Sequence, residues 1–250
     1  MKIFLTNDDG IHAEGIRTLA EVLQKAGHQL FIVAPDRERS ATGHSITILE
    51  PIRAYEVKIY NNVSAYKVTG TPADCVKLGL EKLVDFKPDL LISGINNGSN
   101  LGYDVLYSGT VSAAMEGWIM GYNSIAISLA SDKVYNFQTA ADFVADFIEK
   151  QDFSSFNERL LLNINVPDLD RTEIKGVKVC RLGTSLYEDT FEERIDPSGR
   201  RYYWLTGGSG RKSLENTDIW AVENKYIAIT PLKIQLDNED LIETWPEINF

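Results

Sequence analysis

Ile3-Phe4-Leu5-Thr6-Asn7-Asp8-Asp9-Gly10 opens the chain with a short apolar run that ends in two adjacent carboxylates. So short a run, cut off by polar residues, reads as a buried strand rather than a helix. In open α/β sheets the carboxyl ends of such strands face the ligand crevice. Two neighbouring aspartates repel each other there, and each is costly to desolvate. A hard divalent cation removes that cost, because Mg²⁺ and Mn²⁺ prefer oxygen ligands. The same residues also suit a solvated loop or a helix start capped by Asp9.

After Gly10, residues 15–26 place Ile16, Leu19, Ala20 and Leu23 at helical spacing, and Gly27 stops the helix. Residues 29–34 form an apolar strand closed by Pro35 and Asp36. That is a βαβ unit, which implies a parallel sheet and a right-handed crossover. Residues 46–68 suggest hairpin strands, and Thr71-Pro72-Ala73-Asp74 starts a helix that runs through Leu83, with Thr71 as cap. Strands at 90–93, 124–129 and 160–166 alternate with helices at about 112–120 and 140–150, a doubly wound α/β pattern. Beyond Pro167, residues 187–205 read as a long hairpin around Asp196-Pro197-Ser198-Gly199. Tyr202, Tyr203 and Trp204 exceed what a lone hairpin buries, so they are expected to pack on another subunit or back on their own domain. Residues 226–230 read as a late strand, and a short helix or tail follows Asp237.

With 250 residues and 44% hydrophobic content, the chain can bury a full core. Its net charge of −11 argues against a nucleic-acid polymer as partner but leaves small phosphates open. Cys75 and Cys180, the only cysteines, offer neither a disulfide framework nor a CxxC pair, and read as buried small hydrophobes. Asp8 and Asp9 interrupt the apolar start, unlike a signal peptide, and no run approaches a membrane span. No membrane partner and a cytoplasmic location are the expectation.

Polar loops after strands of one sheet can converge. The first carries Asp8 and Asp9; the second carries Asp36, Arg37, Arg39, Ser40, Gly43, His44 and Ser45; the third carries Ser93, Gly94, Asn96, Asn97, Asn100 and Asp104. Two carboxylates, a hydroxyl and an asparagine carbonyl would make a hard-ion site with open positions for water and substrate. Tyr107-Ser108-Gly109-Thr110-Val111-Ser112 leads into a helix, so its N–H groups and hydroxyls suit a phosphoryl group; plain capping by Thr110 or Ser112 is the alternative. GxxxxGK[ST], GxGxxG and HExxH are all absent. A DxD phosphoenzyme would need an acid where Gly10 stands, and a receiver module an aspartate where Ser93 and Gly94 stand. Of the histidines, His28 is read as structural and His12 as lining the cleft or starting the helix. His44 is the better candidate to touch substrate or orient water.

These stretches resemble the SurE family of stationary-phase survival proteins, metal-dependent nucleoside monophosphate phosphatases. The resemblance is carried by residues 6–10, 34–45, 69–75, 93–96 and 107–111, and more loosely by Asn163, Asn165, Val166, Pro167 and the late hairpin. Gly98-Ser99-Asn100 departs from the family's common Gly-Pro-Asn and loses proline's fixed φ. The resemblance implies a Rossmann-like three-layer α/β/α core with a mostly parallel sheet over residues 1–170. Residues 171–250 would be an extension that assembles a homodimer or homotetramer. It implies one divalent ion per subunit, Mg²⁺ or Mn²⁺, held by Asp8, Asp9, Ser40 and Asn96. It also implies hydrolysis of nucleoside 5′- and 3′-monophosphates, sometimes with action on short polyphosphate. The mechanism expected from these residues is attack by a metal-activated water, with Asp8 or Asp9 orienting that water or taking its proton and Asn96, Ser108, Gly109 and Thr110 stabilising the phosphoryl oxygens. A non-catalytic phosphate-sensing module and a metal-dependent phosphotransferase are the alternatives.

Overall fold

The structure is a computed structural model and describes residues 1–58, 63–131, 136–211 and 213–246. The opening run is strand β1 (Lys2–Thr6), followed by helix α1 (Glu14–Lys25) and strand β2 (Gln29–Pro35). β1 pairs in parallel with β2, Phe4 opposite Phe31, and α1 turns Ile16, Leu19, Ala20 and Leu23 into the core. Strands β3 (Ala54–Val57) and β4 (Ser64–Val68) are an antiparallel pair. Helix α2 (Pro72–Leu78) begins at a reciprocal cap. There the Asp74 N–H donates to Thr71 Oγ1 at 3.1 Å and the Thr71 N–H donates to Asp74 Oδ2 at 2.8 Å. A π turn over Gly79–Leu83 carries the helix on to Leu83.

Strand β5 (Leu90–Asn97), helix α3 (Gly109–Ile119), strand β6 (Ser124–Ala130), helix α4 (Phe137–Lys150) and strand β7 (Leu161–Pro167) complete the doubly wound part. Strand β8 (Gly176–Val179), the hairpin β9 (Ser185–Ile195) and β10 (Arg201–Arg211), helix α5 (Asp218–Glu223), strand β11 (Tyr226–Pro231) and helix α6 (Glu239–Thr244) follow. The main sheet runs β3-β4-β2-β1-β5-β6-β7-β11-β8. Its β3–β4 and β7–β11 pairs are antiparallel and the others parallel. One face packs on α1 and α4, the other on α2 and α3. Strand order reverses between β1 and β5, and such a switch point opens a crevice at the carboxyl ends of the strands.

α3 starts at Gly109 rather than near Ser112. Its cap is Ser108, whose Oγ accepts from the Val111 N–H at 3.1 Å, and not Thr110 or Ser112. Those two hydroxyls are spent elsewhere, on Asp8 and on the Ser108 carbonyl. β8 and α5 are too short to leave a periodic signal, and the sequence did not announce them. The hairpin forms a two-stranded sheet of its own, with Tyr202, Tyr203, Trp204 and Leu205 exposed, so its aromatics do not pack back on their own domain. Cys75 and Cys180 are free and buried, and burial pushes both thiols up in pKa. α6 occupies the segment after Asp237, whose residues 247–250 lie outside the described residues. Among the described residues no helix is long and apolar enough to cross a membrane.

Candidate active site

At the end of β1 the Asn7 side chain closes the acidic loop on itself. Its Nδ2 donates to the Gly10 carbonyl at 2.9 Å and its Oδ1 accepts from the Gly10 N–H at 3.2 Å. Gly10 adopts φ +99°, and a Cβ there would lie 3.1 Å from the Arg37 backbone, so the loop calls for glycine. The Arg39 N–H donates to the Asp8 carbonyl at 2.8 Å and brings in the loop after β2 with Ser40. The Gly43 N–H donates to the Tyr107 carbonyl at 3.0 Å and ties that loop to the entry of α3. On β5 the register against β6 shifts between Ser93 and Asn96, an irregularity that re-aims the strand end.

The loops meet at a cavity of about 240 Å³ whose lining includes Asp8, Ser40, Asn96, Asn97, Asn100, Asp104, Tyr107 and Ser108. Asp9 stands beside it and accepts from the Asn97 N–H at 3.2 Å. Gly109 brings the first turn of α3 against Asp8. A Cβ at Gly109 would sit 2.8 Å from Asp8 Cβ and 2.9 Å from Oδ2, so no side chain fits there. Thr110 donates its hydroxyl to Asp8 Oδ1, which places this carboxylate at the helix N-terminus. Thr110 thus serves Asp8 directly, while Ser108 faces the cavity.

Burial is the main cause that raises both acids. It pushes Asp8 up despite the Thr110 hydrogen bonds, and it takes Asp9 to about 6, with the Asp8 charge adding to the shift. Glu38 adds negative charge to both and accepts from Ser40 Oγ at 2.6 Å. From sequence Glu38 reads only as a surface partner for Arg37 or Arg39, whereas here it bonds Ser40 and acts on the acid pair. Asn96 spends its amide Nδ2 on the Gly98 carbonyl at 2.8 Å, leaving its carbonyl oxygen for the cavity. Among the described residues no cluster of three His, Cys, Asp or Glu side chains forms a metal cage. The donors here are two carboxylates, a hydroxyl and an amide oxygen. They fit a hard divalent ion, since a desolvated acid pair with raised pKa values calls for positive charge.

His44 is absent from the lining residues. Its Nε2 lies 2.9 Å from Glu116 Oε2 on α3, and Glu116 Oε1 accepts from Lys77 Nζ at 2.7 Å. The carboxyl of Glu116 is held low by His44 first and then by Lys77. The histidine fastens its loop to α3 and α2. His28 meets the terminal amine at 3.2 Å, as a structural residue would, and His12 is exposed. Arg39 pairs with Asp36 at 3.3 Å and donates to the Thr69 carbonyl at 2.9 Å. From the far side, buried Asp218 accepts the N–H groups of Gly102 at 2.8 Å and Gly183 at 2.7 Å, joining the cavity loop to the root of the hairpin.

Comparison with known proteins agrees with this architecture. Residues 3–189 match the family described as Survival protein SurE. A 5′-nucleotidase SurE of Gloeobacter violaceus is 52% identical over 96% of this chain and 92% of its own length. One of Cyanothece sp. is 50% identical over 98% and 94%. The crystal structure of the SurE protein from Aquifex aeolicus superposes with a TM-score of 0.86 at 41% identity, covering 98% of both chains. With its motif loops gathered at the switch point of a matching fold, the chain belongs to the SurE family.

Proposed function

We propose that this protein is a metal-dependent phosphomonoesterase that hydrolyses nucleoside 5′- and 3′-monophosphates to nucleoside and phosphate. The observation that carries the proposal is the gathering of Asp8, Ser40, Asn96 and Ser108 around one cavity, with the desolvated Asp9 at its side. Asp8, Asp9, Ser40 and Asn96 would hold one Mg²⁺ or Mn²⁺. When bound, the ion supplies Lewis-acid polarisation of a phosphoryl oxygen and a water acidic enough to ionise near neutral pH.

The chain's own groups do the rest. Asp8 or Asp9 would orient an attacking water or take its proton. Thr110 holds Asp8 in one orientation, so a ligand oxygen is fixed before substrate arrives. The Ser108 hydroxyl and the Gly109 N–H stand at the start of α3, where donors meet charge developing on phosphoryl oxygens. The nucleoside part of the substrate would lie toward the open rim at Tyr107, which is 64% exposed. Within residues 171–250 the hairpin would serve assembly, and its exposed aromatics support a homodimer or homotetramer, whereas β8 and β11 complete the main sheet; the expected location is the cytoplasm.

Release of inorganic phosphate from AMP or GMP, abolished by EDTA and restored by Mn²⁺ or Mg²⁺, is the test. Phosphate binding without turnover would favour a sensing module. Phosphate transfer to an added alcohol in place of release would favour a phosphotransferase.

A further inference from the structure

β7 places Asn163 and Asn165 at alternate positions, both 0% exposed. Leu162, Ile164 and Val166 belong to the core on the α1 and α4 side, so strand alternation turns the two asparagines to the α3 side of the sheet. A buried amide is costly unless its polar groups are paired. These pair with a single loop residue. Asn165 Oδ1 accepts the Asn100 N–H at 2.9 Å and its Nδ2 donates to the Asn100 carbonyl at 3.0 Å. Asn163 Nδ2 donates to the same carbonyl at 2.8 Å. Two side chains therefore hold the backbone of Asn100 much as a neighbouring strand would. The Asn100 side chain is held as well, its Nδ2 donating at 2.7 Å to Ser128 Oγ, which faces Asn165 across the β6–β7 pair.

Asn100 lines the cavity, and the chain beyond it supplies Asp104, Tyr107 and Ser108 to the same wall. Gly98 and Ser99 precede it, and neither fixes the backbone on its own. Among the described residues Asn163 Oδ1 is buried without a hydrogen-bond partner, a cost that a residue chosen only to fill the core would not carry. We propose that Asn163 and Asn165 are positioning residues of the active site, fixing Asn100 and through it the wall formed by residues 100–108. The role assumes, as proposed above, that the cavity takes the phosphoryl group of a nucleotide.

The test compares wild type with Asn165→Ala and Ser128→Ala, and with Val144→Ala, a core truncation on α4 away from the cavity. Hydrogen exchange across residues 98–108, calorimetric affinity for Mn²⁺ and for inorganic phosphate, and kcat and KM for AMP are measured. Asn165→Ala should speed exchange across 100–108 about tenfold and raise the phosphate Kd and the KM about tenfold, because a displaced wall mispositions the substrate. Its Mn²⁺ affinity should change by less than about threefold, since Asn96 precedes the clamped residue on β5. Ser128→Ala should give a smaller change of the same kind. Val144→Ala should lower Tm and leave phosphate affinity, KM and the exchange at 98–108 alone. Unchanged exchange at 100–108, or unchanged KM and phosphate affinity, in folded Asn165→Ala overturns the proposal. Should that variant not fold, the same results in Ser128→Ala overturn it. A wild type that neither binds nor releases phosphate defeats the functional assignment instead, while the exchange rates still decide whether the clamp exists.

Discussion

Asp8 is the residue on which the proposed chemistry turns. Asp8→Asn keeps the shape and the Thr110 contact but removes the charge that a cation needs. With Mn²⁺ in excess, kcat for AMP should fall by about a hundredfold or more, and an unchanged circular dichroism spectrum would show that the fold survives. Gly109→Ala would press a methyl group against Asp8. Overpacking of that kind costs about 1–3 kcal/mol, and kcat/KM should drop with it; a variant as active and as stable as wild type would refute the close contact. Asp9 sets a pH dependence. Its pKa is raised on folding to about 6, so the folded protein holds that proton more tightly than the unfolded chain. Between the unfolded value and about 6 the metal-free protein should lose stability as pH rises, and above about 6 the full cost is present. Asp9→Asn removes that cost. Its stability advantage in EDTA should be largest at pH 7 and shrink as pH falls toward 4, whereas a pH-independent difference would show that Asp9 is not shifted.

At the level of elements, local chemistry decides where helices begin. The Thr71–Asp74 cap on α2 was readable, because a threonine before proline with an acid three positions on is a helix-start pattern. Thr71→Ala should cost about 1 kcal/mol of stability, seen as a lower midpoint in urea with an unchanged slope. The start of α3 was misread for an equally physical reason. Ser108, Thr110 and Ser112 all suit a cap, and the competition was settled by Asp8, which takes the Thr110 hydroxyl from a neighbouring strand end. β7 shows the opposite difficulty. Its Asn-Ile-Asn alternation resembles a strand with one wet face, yet both asparagines are buried and bonded to the β5 loop.

At the scale of the molecule, the hairpin stands apart from the nine-stranded sheet and exposes Phe191, Tyr203, Trp204 and Leu205. A two-stranded ribbon is only marginally stable alone in water, and a second copy of the chain would cover such a surface. Light scattering after gel filtration should find the wild type as an oligomer and Trp204→Glu shifted toward monomer. A monomeric wild type would remove the assembly role. Asp218 connects this region to the cavity through Gly102 and Gly183, so the root of the hairpin and the cavity loop are fixed by one buried carboxylate.

The sequence by itself determined the alternation of strands and helices, the hairpin and the loops that carry the site, because periodicity, caps and turn residues are local properties of the chain. The motif residues were legible one loop at a time. Only the tertiary structure decided that β1 and β5 lie side by side at the reversal of strand order, and that Thr110 reaches Asp8 across 102 positions of sequence. It alone showed His44 bound to Glu116, and Asn163 and Asn165 bound to Asn100. Hydrogen-bond partners far apart in the chain leave no periodic trace, and burial of a polar side chain becomes visible only when the sheet and the layer covering it are both in place.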